Sequence, residues 1–426
     1  MYNKIRGLVE EGKNLFITGG GGVGKSYTLD RLVDDFPCID ITATTGIAAV
    51  NVSGQTIHKW ASVGTFKLPY GIAAKNTLKD FDKYDIIQQC KILAIDEISM
   101  LSAAQLDYLD KYFRKVRGNN KIFGGIQLLL FGDLFQLPPV KLDSTEEFAG
   151  EKTLIKYCFN ADVWLKLKLV PILLKQIFRQ EDKQFATLLN NIREGKNVDL
   201  SLIQERELDP PDNITRLFST NDEVKRYNNL KYNEIDEEEQ IYWASDIYYK
   251  GSKGVKAWGE ESNLTPNQKN LLRDFDKNCK ALRCLKLKVG TRVMLLQNID
   301  VAGGLCNGSC GYVSALHEKS VEVKFDNGTI KELKRSPFHL HFKGKKVIER
   351  KQIPLMYAYG ITIHKSQGLT MDNLYIDMKR IFSPGQCYVA LSRVKSLDGL
   401  YIKNFNKNKI MVDDRIVKFY KSLEKV

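Results

Sequence analysis

The stretch Gly19-Gly20-Gly21-Gly22-Val23-Gly24-Lys25-Ser26 has the spacing Gly, four residues, Gly-Lys-Ser of a phosphate-binding loop. Leu15-Phe16-Ile17-Thr18 before it reads as a buried strand. Tyr27 to Phe36 after it sets apolar side chains at helical spacing. The loop therefore lies between a strand and a helix, where the chemistry needs it. Gly19, Gly22 and Gly24 let backbone N–H groups turn inward around phosphate oxygens. The helix N-terminus adds the positive end of its dipole. Lys25 can then reach β- and γ-phosphates, and Ser26 can ligate Mg²⁺. A ligand-free glycine turn is the alternative, and the strand–loop–helix context argues against it.

Further along, Cys38-Ile39-Asp40-Ile41-Thr42-Ala43 reads as a second strand. It runs into Thr44-Thr45-Gly46-Ile47-Ala48-Ala49-Val50-Asn51, a junction rich in donors for phosphate, or else a plain helix cap. His58 stands beside Trp60, where a lone His is more often packed than ligating, and residues 61–85 look irregular. Ile92-Leu93-Ala94-Ile95-Asp96-Glu97 is an apolar strand ending in two carboxylates. In an ATPase the first, Asp96, holds Mg²⁺ and the second, Glu97, polarises the attacking water. Ile126 to Phe131 is another buried strand, followed by Gly132-Asp133-Leu134-Phe135-Gln136-Leu137-Pro138-Pro139. Gln136 there can hydrogen-bond a γ-phosphate or a water. Strands alternating with helical patterns imply a parallel sheet covered on both faces.

A second unit is expected from about Pro171, with a strand at Thr215–Thr220. Residues 233–280 are polar and poorly patterned, and the run Asp236 to Glu239 reads as a solvated face. Short strands joined by turns such as Asp326-Asn327-Gly328 make residues 285–335 a small all-β insert. The α/β pattern resumes at Met356 and leads to His364-Lys365-Ser366-Gln367-Gly368 and Tyr388-Val389-Ala390-Leu391-Ser392-Arg393.

The 426 residues carry a net charge of +13, which favours a polyanionic partner, nucleic acid first. No apolar run spans a bilayer. The N-terminus leads directly into the first element, so no cleaved targeting segment and no membrane partner are expected. An intracellular protein is expected, with cytoplasm, nucleus and viral factory undistinguished. Cys279 and Cys284, then Cys306 and Cys310, resemble two zinc half-sites, but their loose spacing favours ordinary thiols in a reducing compartment.

Taken in order, these blocks resemble a superfamily 1 DNA helicase. The match is to the petite-integration-frequency helicase family, related to the RecD-like helicases. It is carried by Thr45 to Ala49, Phe123 to Gln127, Gly132 to Pro139, Phe178-Arg179-Gln180, Thr362 to Gly368 and Tyr388 to Arg393. The resemblance implies two RecA-like motor domains. The first spans 1–170 with a small insert at about 55–85. The second spans 171–426, and its insert at about 233–350 contains an SH3-like barrel.

The resemblance also implies roles. Arg179 and Arg393 reach the γ-phosphate from the second domain as arginine fingers, and Gln136 senses that phosphate. Gly368 falls in a block on the nucleotide side. Thr45, Asn51, His58, His364 and Lys365 fall in blocks used against the single strand. The family's signature helix falls at Leu106–Asn120, with Arg114 and Arg117 as its basic residues. Tyr2 stands near the place of the adenine-reading Gln; it could stack on a base but cannot make the paired amide contacts, so the resemblance does not by itself imply strictness for ATP. The expected function is an ATP- and Mg²⁺-dependent DNA helicase moving 5′→3′ on single-stranded DNA. Its substrates are 5′-tailed or forked duplexes, in replication, repair or recombination. The alternative is a single-strand translocase or a nucleotide-gated clamp with little unwinding.

Overall fold

The computed structural model describes all residues except 181, 197–198, 212–213, 251–252, 257–264, 280, 301–302, 304, 306, 343–344 and 424–426. The chain divides into two compact units. The first holds Met1–Phe178 and the segment that starts at Val412; the second holds most of Arg179–Met411.

The first unit is organised on a six-stranded parallel sheet. Its strands are β1 (Leu15–Thr18), β2 (Ile39–Ala43), β3 (Gln55–Thr56), β4 (Ile92–Asp96), β5 (Gln127–Gly132) and β6 (Val170–Leu173). They lie in the order β3-β2-β4-β5-β1-β6. The central strands are apolar at nearly every position because both faces are covered. Successive side chains divide between two cores. Phe16, Leu93, Ile95, Leu128 and Leu130 join one core; Leu15, Ile17, Ala94, Leu129 and Phe131 join the other. Helices α1 (Tyr2–Glu10) and α2 (Lys25–Asp35) supply Ile5, Val9, Leu29 and Leu32 to the second core. Pro171 lacks an N–H and sits on the edge strand β6, where the ladder tolerates it.

The short helix α3 (Gly46–Asn51), strand β3 and helix α4 (Ile57–Trp60) lead to residues 61–85, which were expected to be irregular but are helical from residue 70 on. Helices α5 (Tyr70–Leu78) and α6 (Phe81–Gln89) form there. These pack against α7 (Ala103–Arg117), with the Thr77 and Tyr112 hydroxyls 2.8 Å apart. Asp80 caps α6 by accepting from the Lys83 N–H at 3.3 Å. Helix α5 buries Ala73 and Ala74, so it carries no large apolar stripe to read.

The boundaries differ from the expected 1–170 and 171–426. Strand β6 completes the first sheet, and the chain passes to the second unit after Phe178. The C-terminal helix Asp414–Leu423 returns to the first unit, because its apolar face fits that core. Ile416 is buried there, and Phe419 stacks on Phe159 at 4.5 Å. Arg415 donates to both Asp143 oxygens, at 2.8 and 2.7 Å.

The second unit has its own parallel sheet, in the order Gly360–Thr362, Arg216–Phe218, Leu374–Asp377, Leu400–Lys403. The expected SH3-like insert is a five-stranded antiparallel sheet that runs from Ile330–Lys334 at one edge to Leu355–Tyr357 at the other. Val293, Leu295, Val313, Val321, Val323 and Phe325 form its core. The described residues between 233 and 280 carry more regular structure than their polar sequence implies. They include strands Gln240–Trp243, Ser245–Lys250 and Lys253–Lys256 and helix Pro266–Asn278. Asp246 points inward there and accepts from the buried Arg350 at 2.8 and 2.6 Å. Glu239, from the acidic run, pairs with Lys286 at 2.8 Å. No helix among the described residues is long and apolar enough to cross a membrane.

Candidate nucleotide site

The phosphate loop emerges from β1 and ends at Gly24, which caps α2 with a left-handed φ of 84°. Only glycine adopts that backbone without strain. Lys25 folds its ammonium back over the loop, donating to the carbonyls of Gly19 (2.7 Å) and Gly20 (2.9 Å). Ser26 lies in the first turn of α2, beside the inward-facing amides.

Asp96 ends β4 in a buried position, and its Oδ1 accepts from the Glu97 N–H at 2.8 Å. Burial pushes its carboxyl up to about 7, and the neighbouring Glu97 charge adds to the rise. The Glu97 N–H and the Lys25 ammonium oppose it. Glu97 itself is left-handed, at φ 52° and ψ 44°, an uncommon state for a residue with a Cβ. Thr44 at the end of β2 holds both carbonyls of the pair. Its N–H donates to Asp96 at 3.1 Å, and its hydroxyl donates to Glu97 at 2.8 Å.

The loop after β5, which carries Gln136, starts beside the turn that follows Glu97. A Cβ on Gly132 would meet Ile98 N at 3.0 Å, so only glycine lets the loop pass the turn that follows Glu97. Gln136 is buried; its side-chain amide donates to Asp133 Oδ2 at 3.4 Å and its N–H to the Asp133 carbonyl at 2.9 Å. Lys25, Ser26, Asp96, Glu97 and Gln136 thus stand on segments that leave the C-terminal ends of the adjacent strands β1, β4 and β5.

In the second unit Arg179 donates to Thr370 Oγ1 and to the Ser392 carbonyl, both at 3.1 Å. Arg393 is 1% exposed. It donates to the carbonyls of Val389 (2.7 Å) and Ser366 (3.3 Å) and to Ser392 Oγ (2.7 Å). Gln180 donates to the Ser392 and Val394 carbonyls, so Phe178-Arg179-Gln180 and Tyr388 to Arg393 are stitched together through Ser392. Gly368 turns left-handed at φ 76° just after the Thr362 to Gln367 stretch. His364 and Lys365 follow strand Gly360–Thr362, and Lys365 donates its N–H to Thr362 Oγ1 at 3.1 Å.

Thr45 caps α3 through Oγ1, accepting from the Ala48 N–H at 3.2 Å, and Asn51 is exposed at the end of that helix. His58 packs edge-on against Phe66 at 4.9 Å. Burial lowers the pKa of both His58 and His364, so both are neutral at neutral pH.

The basic residues of the expected signature helix, and Tyr2, are committed to internal contacts. Arg114 pairs with Asp110 at 2.9 Å, and Arg117 donates to the carbonyls of Ile87 (2.8 Å) and Cys90 (2.7 Å). The Tyr2 ring lies under the Arg31 guanidinium at 3.9 Å, while its hydroxyl donates to Asp35 at 2.7 Å. Cys279 and Cys310 are buried and Cys306 lies outside the described residues; no metal-holding cluster occurs among the described residues.

Two residues escaped the sequence reading. Phe178 is 65% exposed, donates its N–H to the Gly22 carbonyl at 2.8 Å, and its ring comes within 3.8 Å of a Cβ placed on Gly24. It sat in a recognised block, but only its neighbour Arg179 drew notice. Thr44 was read as part of a junction, not as the clamp on Asp96 and Glu97.

Comparison with known proteins finds matches along nearly the whole chain. The model of the PIF1-like helicase family matches residues 1–201, and that of the DNA helicase Pif1 2B domain matches 270–316. The ATP-dependent DNA helicase PIF1 of Danio rerio is 33% identical over 99% of this chain, which spans 63% of that relative's length. The crystal structure of Pif1 helicase from Candida albicans is 31% identical, with a TM-score of 0.70, covering 99% of this chain and 98% of that one. That of Bacteroides sp Pif1 in complex with ADP-AlF4 is 29% identical, with a TM-score of 0.80, covering 100% of this chain and 96% of that one. On fold, site geometry and these matches together, the chain belongs to the PIF1-like helicase family.

Proposed function

We propose that this chain is an ATP-driven DNA helicase that moves 5′→3′ along single-stranded DNA and opens 5′-tailed or forked duplexes. The observation that carries the reading is the convergence of Lys25, Asp96, Glu97 and Gln136 at adjacent strand ends of one sheet. That set suits phosphoryl transfer to water. Loop amides and the Lys25 ammonium bind the phosphate chain. Glu97, fixed by its backbone conformation, orients the attacking water and accepts its proton. Gln136 reports the γ-phosphate through its side-chain amide. Arg179 and Arg393 are the proposed fingers, because a guanidinium is permanently charged and suits the charge of a phosphoryl transition state.

Mg²⁺ fits the residues present. The buried Asp96 carboxyl, pushed up to about 7, is a group that a bound cation would ionise, and Ser26 offers a second oxygen. When bound, the ion would supply positive charge against the charge that develops on the phosphates. Thr45, Asn51, His58, His364 and Lys365 are the proposed strand contacts. The neutral histidines would serve as hydrogen-bond or stacking partners and not as cations. The Bacteroides relative's complex with ADP-AlF4 and the Danio rerio relative's name support nucleotide use and DNA as substrate.

The test is ATP hydrolysis with and without single-stranded DNA, for the parent and for Lys25→Ala. DNA-stimulated hydrolysis that Lys25→Ala abolishes is the expected result. Hydrolysis indifferent to DNA would leave a nucleotide switch as the better account.

A further inference from the structure

The C-terminal helix places one hydroxyl between two working parts of the proposed site. Tyr420 Oη lies 2.5 Å from Thr18 Oγ1, and Thr18 is the buried last residue of β1, directly before the phosphate loop. The same oxygen accepts from the Leu134 N–H at 3.2 Å and lies 3.4 Å from Asp133 Oδ1. Asp133 is fully buried and in turn accepts from the Phe135 N–H at 3.2 Å and from the Gln136 side-chain amide. The Tyr420 ring stacks on Phe135 at 4.7 Å, tilted by only 15°. The hydrogen-bond pattern closes without conflict: the phenol accepts from Thr18 and Leu134 and donates to Asp133.

The helix is held there independently of Tyr420. Phe419 packs on Phe16, Phe159 and Trp164, and Asp413 accepts from the Tyr157 hydroxyl at 2.9 Å. Loss of the phenol oxygen would therefore leave the helix docked. What it would remove is the tie between the end of β1 and the loop that carries Gln136. A buried, satisfied network of this kind fixes geometry more than it adds stability.

We propose that Tyr420 is a positioning residue for ATP hydrolysis: it sets the γ-phosphate-sensing loop, through Asp133 and Gln136, against the strand that carries the phosphate loop. The inference rests on the proposed hydrolytic role of Gln136. Tyr420→Phe keeps the ring stacked on Phe135 and deletes only the oxygen; Thr18→Val removes the partner from the other side and suits a buried strand. In the full chain, with ATP and oligo-dT, each variant should lower kcat about three- to tenfold, the scale of one buried hydrogen bond in a transition state. KM for ATP should stay within about twofold, because phosphate-loop contacts are untouched. In a Gln136→Ala background, Tyr420→Phe should cost nothing further.

Amide exchange gives a readout that needs no turnover. The Leu134 N–H should exchange faster in Tyr420→Phe while amides of α7 do not change. Parental kcat in both variants would overturn the proposal, as would an undiminished effect without Gln136. Unchanged exchange at Leu134 would overturn it even if the parent proved to hydrolyse no ATP, a result that would separately remove the proposed function.

Discussion

Glu97 shows what a residue's backbone adds to its chemistry. Its left-handed conformation costs on the order of 1 kcal/mol or more, and Thr44 holds both carbonyls of the Asp96–Glu97 pair in place. Glu97→Gln should keep the shape and lose the base. ATP binding should persist while kcat falls about 10²- to 10⁴-fold, measured by steady-state hydrolysis beside analogue binding. Hydrolysis at the parental rate would remove Glu97 from that role. Phe178 tests the nucleotide side: if its exposed ring stacks on the base, Phe178→Ala should raise KM for ATP about five- to 150-fold, the 1–3 kcal/mol of a stacked base, with kcat little changed. The phosphate loop was legible because its glycines and Lys25 act within eight neighbouring positions. The strain at Glu97 was not, since no sequence pattern records it. Tyr420 was hidden by distance: it meets Thr18 across 402 residues.

At the level of elements, apolar runs announced the strands that carry the site, because parallel strands bury both faces. Helix α5 and the strands between 240 and 256 carry no run of inward aliphatic residues to read: α5 turns Ala73 and Ala74 inward, and the strands turn in Tyr242, Tyr248 and Asp246, the last paired with Arg350. The two proposed fingers should behave differently. Arg179 is partly exposed, so Arg179→Ala should lower kcat by about 10³ with a smaller change of melting temperature than Arg393→Ala. Arg393 is buried among three acceptors, so Arg393→Ala should lose turnover and also melt earlier, read by scanning calorimetry. The C-terminal helix belongs to the first unit's core, and Phe419→Ala should cost that unit about 3 kcal/mol in denaturant unfolding. A loss near zero would mean that the helix is docked without contributing.

For the whole molecule, the net charge of +13 predicts single-strand binding that weakens steeply with salt. The histidines add a pH signature. Their folded pKa values lie below the ordinary 6.5, so below that pH the unfolded chain takes the protons first, and both withdraw stability as pH falls. A His58→Asn, His364→Asn double variant should therefore show a shallower loss of melting temperature between pH 7.5 and about 5.5. The two-unit plan was readable from the order of the motifs; the return of the chain at Val412 to the first unit was not, because nothing local says which core an amphipathic helix will join. The central claim is directional, ATP-driven strand separation. It is tested most directly by displacement of a labelled strand from duplexes that differ only in the polarity of their single-stranded tail. The account predicts ATP-dependent release from the 5′-tailed duplex, none from the 3′-tailed duplex, and none from either with Lys25→Ala. Release from the 3′-tailed duplex alone, or from neither while DNA still stimulates hydrolysis, would contradict it.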